Sequence, residues 1–470
     1  MTGSTSNNNQ EVKASDGCRW LRPASDTESF FESFQGRGMF LTAYWVTLHS
    51  AELLLEEDVR LALHHLYRKV PPLRTCFRKR EDTLWLCEME EEAVDFQVVE
   101  DADPERLMEQ MMGQGYASHD GPLWRARLVR GTGGEDCPSE ELRASFPHTS
   151  HLVLGNHHGI ADGTSNVRTY NLLLRILNDV IAGRPIDDQE QLGEILTNEE
   201  FQAKTKVKMS ELEKDPETLE RLLNEKRAFD GSVPLLLQCY PPTEGTEVKT
   251  ELLIEELDED TTRRFIQRCK KEGVSVGSAF TALVNGATIE LAKRAGRTDE
   301  TFKLTESHAL DLRQYLSGDA SKHLGVHITV LTNSVEAPAA WQESFWDYAR
   351  TLHHSIHTKL SQDGHLLDSC LRELLKSTHI TGKVTSTKLP SQDSVCTNMR
   401  NLDALWRDDG QEHVQATRVS RGASNLTAAH FFHTFRKRFL YSLCFSRHVL
   451  PGDIAEALTR AIFDNLRSLV

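Results

Sequence analysis

The chain of 470 residues exceeds what one ordinary hydrophobic core supports and implies two or three structural units. Its 39% hydrophobic and 26% charged residues, with 15 Pro and 28 Gly, describe a globular protein rather than a fibrous or disordered one. A formal net charge of −16 argues against nonspecific binding to nucleic acid, and no run of about 18 apolar residues is present to span a bilayer.

The polar N-terminus MTGSTSNNNQEVKASDG lacks the apolar centre of a secretory signal and reads as a flexible tail over 1–17. Nine cysteines, Cys18, Cys76, Cys87, Cys137, Cys239, Cys269, Cys370, Cys396 and Cys444, include no CxxC pair. That spacing favours reduced thiols packed as small apolar residues in a cytoplasmic compartment over a disulfide framework or a zinc ribbon. MFLTAYWVTL (39–48) reads as a strand, and EEDVRLALHHLYRKV (56–70) as a helix stopped by Pro71-Pro72. LRTCFRK and TLWLCEME resemble a hairpin, PERLMEQMM fits a helix, and PLWRARLVR (122–130) alternates like a half-buried strand. The polar stretch that follows contains GTGG, which has no strand-to-helix context for cradling a phosphate and reads as a hairpin loop. HLVLGN then resumes the apolar pattern, as the antiparallel partner of the preceding strand.

From Ser165 the positions Val167, Tyr170, Leu173, Leu174, Leu177, Val180 and Ile181 repeat at helical spacing, and Gly183 and Pro185 mark the stop. The acidic, helix-prone stretch 186–240 reads as a connection between an N-terminal unit over 18–185 and a C-terminal unit over 241–470. The second unit opens with the strand EVKTELLIEEL and two helices, DTTRRFIQRCKKEG and SVGSAFTALVNGATIELAKRAG, each closed by a capping glycine. FKLTESHALDLRQYL reads as a strand running into Arg313, LGVHITVLTNSV as a strand and WQESFWDYARTLHHSIHTKL as a helix. DSVCTNMRNLDALW, HFFHTFRKRFLYSLCFS and PGDIAEALTRAIFDNLRSL complete a strand, strand, helix ending. The expected class is α/β (α+β): two mixed sheets with packed helices, without a repeat of solenoid period.

Chemistry concentrates in NHHGIADG, where an apolar strand ends in His157-His158, turns at Gly159 and places Asp162-Gly163 before a helix. Successive strand side chains point to opposite faces, so one imidazole is expected in a site and the other in the structure. A neutral imidazole, with an ordinary pKa of about 6.5, suits proton removal from a hydroxyl, amine or thiol near neutral pH. Asp162 can fold back to fix the loop, or it or Thr164 can cap the helix. A metal reading finds two diverging histidines and no third strong ligand nearby. His64-His65 and the group His353, His354 and His357 read as structural or surface residues, although His353 and His357 share a helix face.

HHGIADG resembles the HHxxxDG motif of the acyltransferase superfamily that includes chloramphenicol acetyltransferase, peptide synthetase condensation domains, plant BAHD enzymes, fungal alcohol acetyltransferases and mycobacterial polyketide-associated acyltransferases. The likeness extends over nearly the whole chain. Val70-Pro71-Pro72-Leu73-Arg74 resembles the family's HPxLR turn, ALDLRQYL with HLGVHITVLTN its LR segment, and CTNMRNLDAL its SNLG strand. No DFGWG is present, unlike plant BAHD enzymes; no carrier or adenylation segment accompanies the chain; and Met399-Arg400 stand where leucine and glycine are usual. The resemblance implies two chloramphenicol acetyltransferase-like subdomains with an active-site tunnel between them. His158 would be the general base, His157 and Asp162 would hold the loop, Gly163 would keep the passage open, and Arg313 would be the partner of Asp162. Thr397 and Asn398 would be oxyanion donors. It further implies a monomer with no bound cofactor or metal, using acyl-CoA or another acyl thioester as co-substrate and an alcohol or amine as acceptor. A catalytically silent binding or scaffold protein and a metal-dependent hydrolase are the alternatives.

Overall fold

The computed structural model describes residues 17–131, 139–241, 249–378, 391–424 and 428–470. Residues 1–16 of the tail expected over 1–17, residues 132–134 of GTGG and Cys137 lie outside them.

The strand His148–His157 is buried at every residue after the first, and its centre is the apolar run Leu152-Val153-Leu154. It pairs antiparallel with Leu41–Ser50 on one edge and Trp124–Arg130 on the other, and Phe96–Val99 extends the sheet in parallel. Helices Glu56–Lys69 and Gly163–Ile181 pack on each other over one face, where Tyr170, Leu173, Leu174 and Leu177 meet Val46, Leu48, Leu152 and Leu154. Helix Pro104–Gly113 covers the other face. Its Met108, Met111 and Met112 share one apolar cluster with Ala43 and Val153 below and with Leu252, Phe431 and Cys444 of a second sheet.

That second sheet runs Ile328–Pro338, Thr301–Asp311, Ser394–Asn401, Ala429–Phe435, Arg438–Ser446, Thr250–Leu257, with parallel pairing on both sides of Ser394–Asn401. Helix Val276–Arg294, buried along most of its length, packs against helices Gly452–Ser468 and Phe345–Ser361. The helix ends expected at Gly273 and Gly296 carry the left-handed backbone that glycine adopts freely.

Two readings are corrected. Val414–Ala423, placed by the sequence in the unit over 241–470, instead pairs antiparallel with Leu41–Ser50 and completes the first sheet. HVQATRVSRGA has no apolar run, and only long-range pairing defines it as a strand. HFFHTFRKRFLYSLCFS is a hairpin rather than one strand: the chain reverses at Arg436-Lys437, both with positive φ, without the Gly or Asn that normally announces such a turn. The stretch 186–240 holds helices Glu199–Leu212, Pro216–Asp230 and Leu235–Cys239, the first two packed on helix Gly364–Thr378 of the second half. Strand Cys18–Pro23 and helix Asp26–Gln35 were not foreseen either. Among the described residues, no single helix is long and apolar enough to cross a membrane.

Candidate active site

The motif strand ends at His157 and the chain turns over the next three residues, so the two imidazoles depart in different directions. His157 is fully buried. Its Nδ1 accepts the Gly159 N–H at 2.9 Å, so its Nε2 carries the proton and donates to Glu32 at 3.0 Å. Glu32 also accepts from the Ser118 hydroxyl at 2.8 Å. A Cβ on Gly159 would fall 2.8 Å from the His157 ring, so glycine is what lets the imidazole fold back over its own turn.

His158 is held by Ala161, whose carbonyl lies 3.1 Å from Nδ1. A carbonyl can only accept, so Nδ1 bears the proton and Nε2 keeps its lone pair. Among the described residues nothing hydrogen-bonds to Nε2. The ring stacks on Phe31 with centroids 4.2 Å apart and planes 17° from parallel. Phe31 and Glu32 are neighbours on helix Asp26–Gln35, so one turn of that helix fixes both imidazoles. Burial, reinforced by the charge of Arg421 and opposed by Asp162, pushes the His158 pKa down to about 4. The ordinary imidazole value expected from sequence is corrected accordingly, because the ring is desolvated and faces a cation; it is neutral well below pH 7.

Asp162 fills two of its sequence roles at once. It caps helix Gly163–Ile181 by accepting from the Ser165 N–H at 2.9 Å, and it pairs with Arg313 through bonds of 2.7 and 3.1 Å. It also accepts the His327 N–H at 2.8 Å. Burial would raise its pKa, but the Arg313 charge and these hydrogen bonds hold it down to about 2. Arg313 donates further to the His323 carbonyl, Asp311 and Ser165. Thr164 reaches Asp311 at 2.8 Å, and Ser165 reaches the Gly325 carbonyl at 2.9 Å. The first helical turn after the motif is therefore clasped by the 311–327 segment of the second half.

The space beside Gly163 is occupied. A Cβ there would lie 2.5 Å from the Met399 sulfur and 3.3 Å from Nη1 of Arg421. Met399 reaches the motif because its strand bulges: Asn398 pairs with Phe432 and Asn401 with Thr434, leaving an extra residue between them. Arg400, in the bulge, has φ +62, the conformation glycine takes without strain. Thr397 is half-buried and Asn398 exposed; the Asn398 side chain packs over Gly277 and accepts the Arg400 N–H at 2.8 Å.

The other histidines singled out in the sequence stand apart from this turn. His64 and His65 pair with Glu92 and Asp188, and the rings of His353 and His357 lie 4.0 Å apart on one helix face. Among the described residues no group of three His, Cys, Asp or Glu could hold a metal ion, and the eight described cysteines are free thiols.

No family model matches the sequence, and no curated protein matches it. Solved structures do match in three dimensions. A trichothecene 15-O-acetyltransferase from Fusarium sporotrichioides superposes with a TM-score of 0.71 at 11% identity, over 96% of this chain and 98% of that one. The fold is that of the chloramphenicol acetyltransferase-like acyltransferases and condensation domains. The first condensation domain of the calcium-dependent antibiotic synthetase, bound to a substrate analogue, gives 0.67 at 14% identity over 97% of each chain. Polyketide synthase associated protein 5 from Mycobacterium tuberculosis gives 0.61 at 12% over 95% and 98%. The likeness is one of fold, and it spans 97–98% of each of these partners.

Sequence reasoning missed Phe31, Glu32, Arg421 and the reach of Met399. The first two had a signal: Ser25 and Glu28 form a capping box that opens their helix. Arg421 had none, since its strand VQATRVSRGA holds no apolar run to announce it.

Proposed function

We propose that the chain is an acyltransferase that moves an acyl group from a thioester, acyl-CoA being the proposed donor, to a hydroxyl or amine. The observation that carries this reading is the His158 tautomer, with Nδ1–H tied to Ala161 and a free lone pair on Nε2 in a buried turn at the junction of the two halves. Nε2 takes the acceptor's proton as its oxygen or nitrogen attacks the thioester carbonyl. The tetrahedral intermediate collapses, the C–S bond breaks, and the proton passes from His158 to the departing thiolate. No covalent acyl-enzyme is required. Thr397 and Asn398 are the proposed donors to the oxyanion. His157, Glu32, Asp162 and Arg313 act as positioning residues, holding the turn that aims His158.

The fold shared with an acetyltransferase and with condensation domains supports this reading. It is tested by screening acyl-CoA thioesters against mixed alcohols and amines for free thiol, with product masses identifying the acylated partner. Thiol release that depends on an acceptor is expected. Release of thiol with only free acid as product would replace transfer by hydrolysis.

A further inference from the structure

Arg421 stands on the crossover strand Val414–Ala423, opposite Tyr44, and is only 5% exposed. Its Nε and Nη1 are buried without a hydrogen-bond partner, and among the described residues it forms no ion pair. The contrast with Arg313 is informative. Both guanidiniums are buried to a similar degree near the same turn, yet Arg313 is saturated by Asp162, Asp311, Ser165 and a carbonyl. Among the described residues, Arg421 has only the faces of Phe431 and Tyr44, 4.8 and 5.7 Å from their centroids. Ring faces offset part of the cost of a desolvated cation, but they supply no acceptor for its N–H groups. Its Nη1 borders Gly163, and its charge is felt at His158.

We propose that Arg421 anchors a carboxylate carried by one of the two substrates, so that the chain acts on a carboxylate-bearing acceptor or acyl group rather than on a wholly neutral pair. A guanidinium with open edges matches a carboxylate in shape and charge and gains most where water is excluded. The inference rests on His158 as the reacting centre, because its place beside His158 and Gly163 puts the anion within one substrate's length of the chemistry.

The test uses the full chain and calorimetric titration. Hydroxy and amino acids are each compared with their primary amides, and malonyl-CoA with acetoacetyl-CoA. At least one carboxylate should bind roughly tenfold tighter than its neutral match, the effect of a charge-assisted hydrogen bond. A preference in the first set places the anion on the acceptor, and one in the second places it on the acyl group. Arg421→Met should reduce that preference to about unity. The free variant should melt no lower than wild type, since an uncompensated charge has been removed. Arg421→Lys, which keeps the charge, should retain part of the preference and serves where the Met variant fails to fold. No preference in any pair, or a preference that survives in Arg421→Met, overturns the proposal. Preferential binding without thiol release upholds the anchor and removes acyl transfer. Thiol release at equal rates from charged and neutral partners, lowered alike by Arg421→Met, overturns the anchor and leaves acyl transfer standing.

Discussion

Removing either partner of the Asp162–Arg313 pair should cost stability that the second removal does not cost again. Asp162 is 1% exposed and Arg313 4%, and the two share bonds of 2.7 and 3.1 Å. Holding the Asp162 pKa at about 2 instead of 3.8, at about 1.4 kcal/mol per tenfold, corresponds to about 2 to 3 kcal/mol in favour of the ionised carboxylate. Breaking a buried pair typically costs about 3 to 5 kcal/mol, because the remaining charge is stranded. Asp311 stays 3.1 Å from Arg313, so Asp162→Asn should fall at the lower end of that range. Arg313→Gln strands a carboxylate that keeps only the backbone donors of Ser165 and His327, and should fall higher. In urea unfolding followed by fluorescence, the double variant should lose less than the sum of the singles by about 1 to 3 kcal/mol. The pH dependence has a definite sign. The carboxylate's contribution is fully present above its unfolded pKa of about 3.9 and is lost as pH falls through about 2, so the gap between wild type and Asp162→Asn should close only in strong acid. Additivity within about 0.5 kcal/mol, or a gap that closes near neutral pH, would refute the clasp.

Because His158 must be neutral to accept a proton, the rate should be flat from pH 5 to 8 with respect to this group and fall as pH drops through about 4; a pH-rate profile with a limb near 6.5 would contradict the desolvated ring. Glu32→Gln replaces the carboxylate acceptor of His157, and Phe31→Ala removes the platform under His158; both should lower turnover, and Phe31→Ala should also lose about 3 kcal/mol in chemical denaturation. Arg400→Gly should raise stability by up to about 1 kcal/mol by relieving a left-handed backbone, and a melting temperature below wild type would show that the Arg400 side chain contributes more than its strain costs.

What the sequence made legible depended on whether burial was recorded locally. The strand His148–His157 is buried on both faces, so its apolar run announced it, and the helix Gly163–Ile181 packs one stripe and showed it as spacing. The turn was legible because its residues do work within seven positions of one another: Gly159 admits the His157 ring, and Asp162 caps the next helix. Arg313 was reached through resemblance alone, since nothing near it in sequence indicates a partner 151 residues away. Val414–Ala423 stayed hidden because its strand character comes from joining two halves of the chain, and Arg421 with it. The ordinary pKa assigned to His158 failed for a related reason, because desolvation by Phe31 and the charge of Arg421 arrive from distant segments.

His158→Ala tests the account most directly. With an acyl-CoA and acceptor pair that releases thiol from wild type, the variant should keep its circular dichroism spectrum and cooperative unfolding and lose turnover by roughly 10²-fold or more. Full activity in a folded His158→Ala protein, or wild-type activity abolished by EDTA and restored by zinc, would contradict general-base acyl transfer at this histidine.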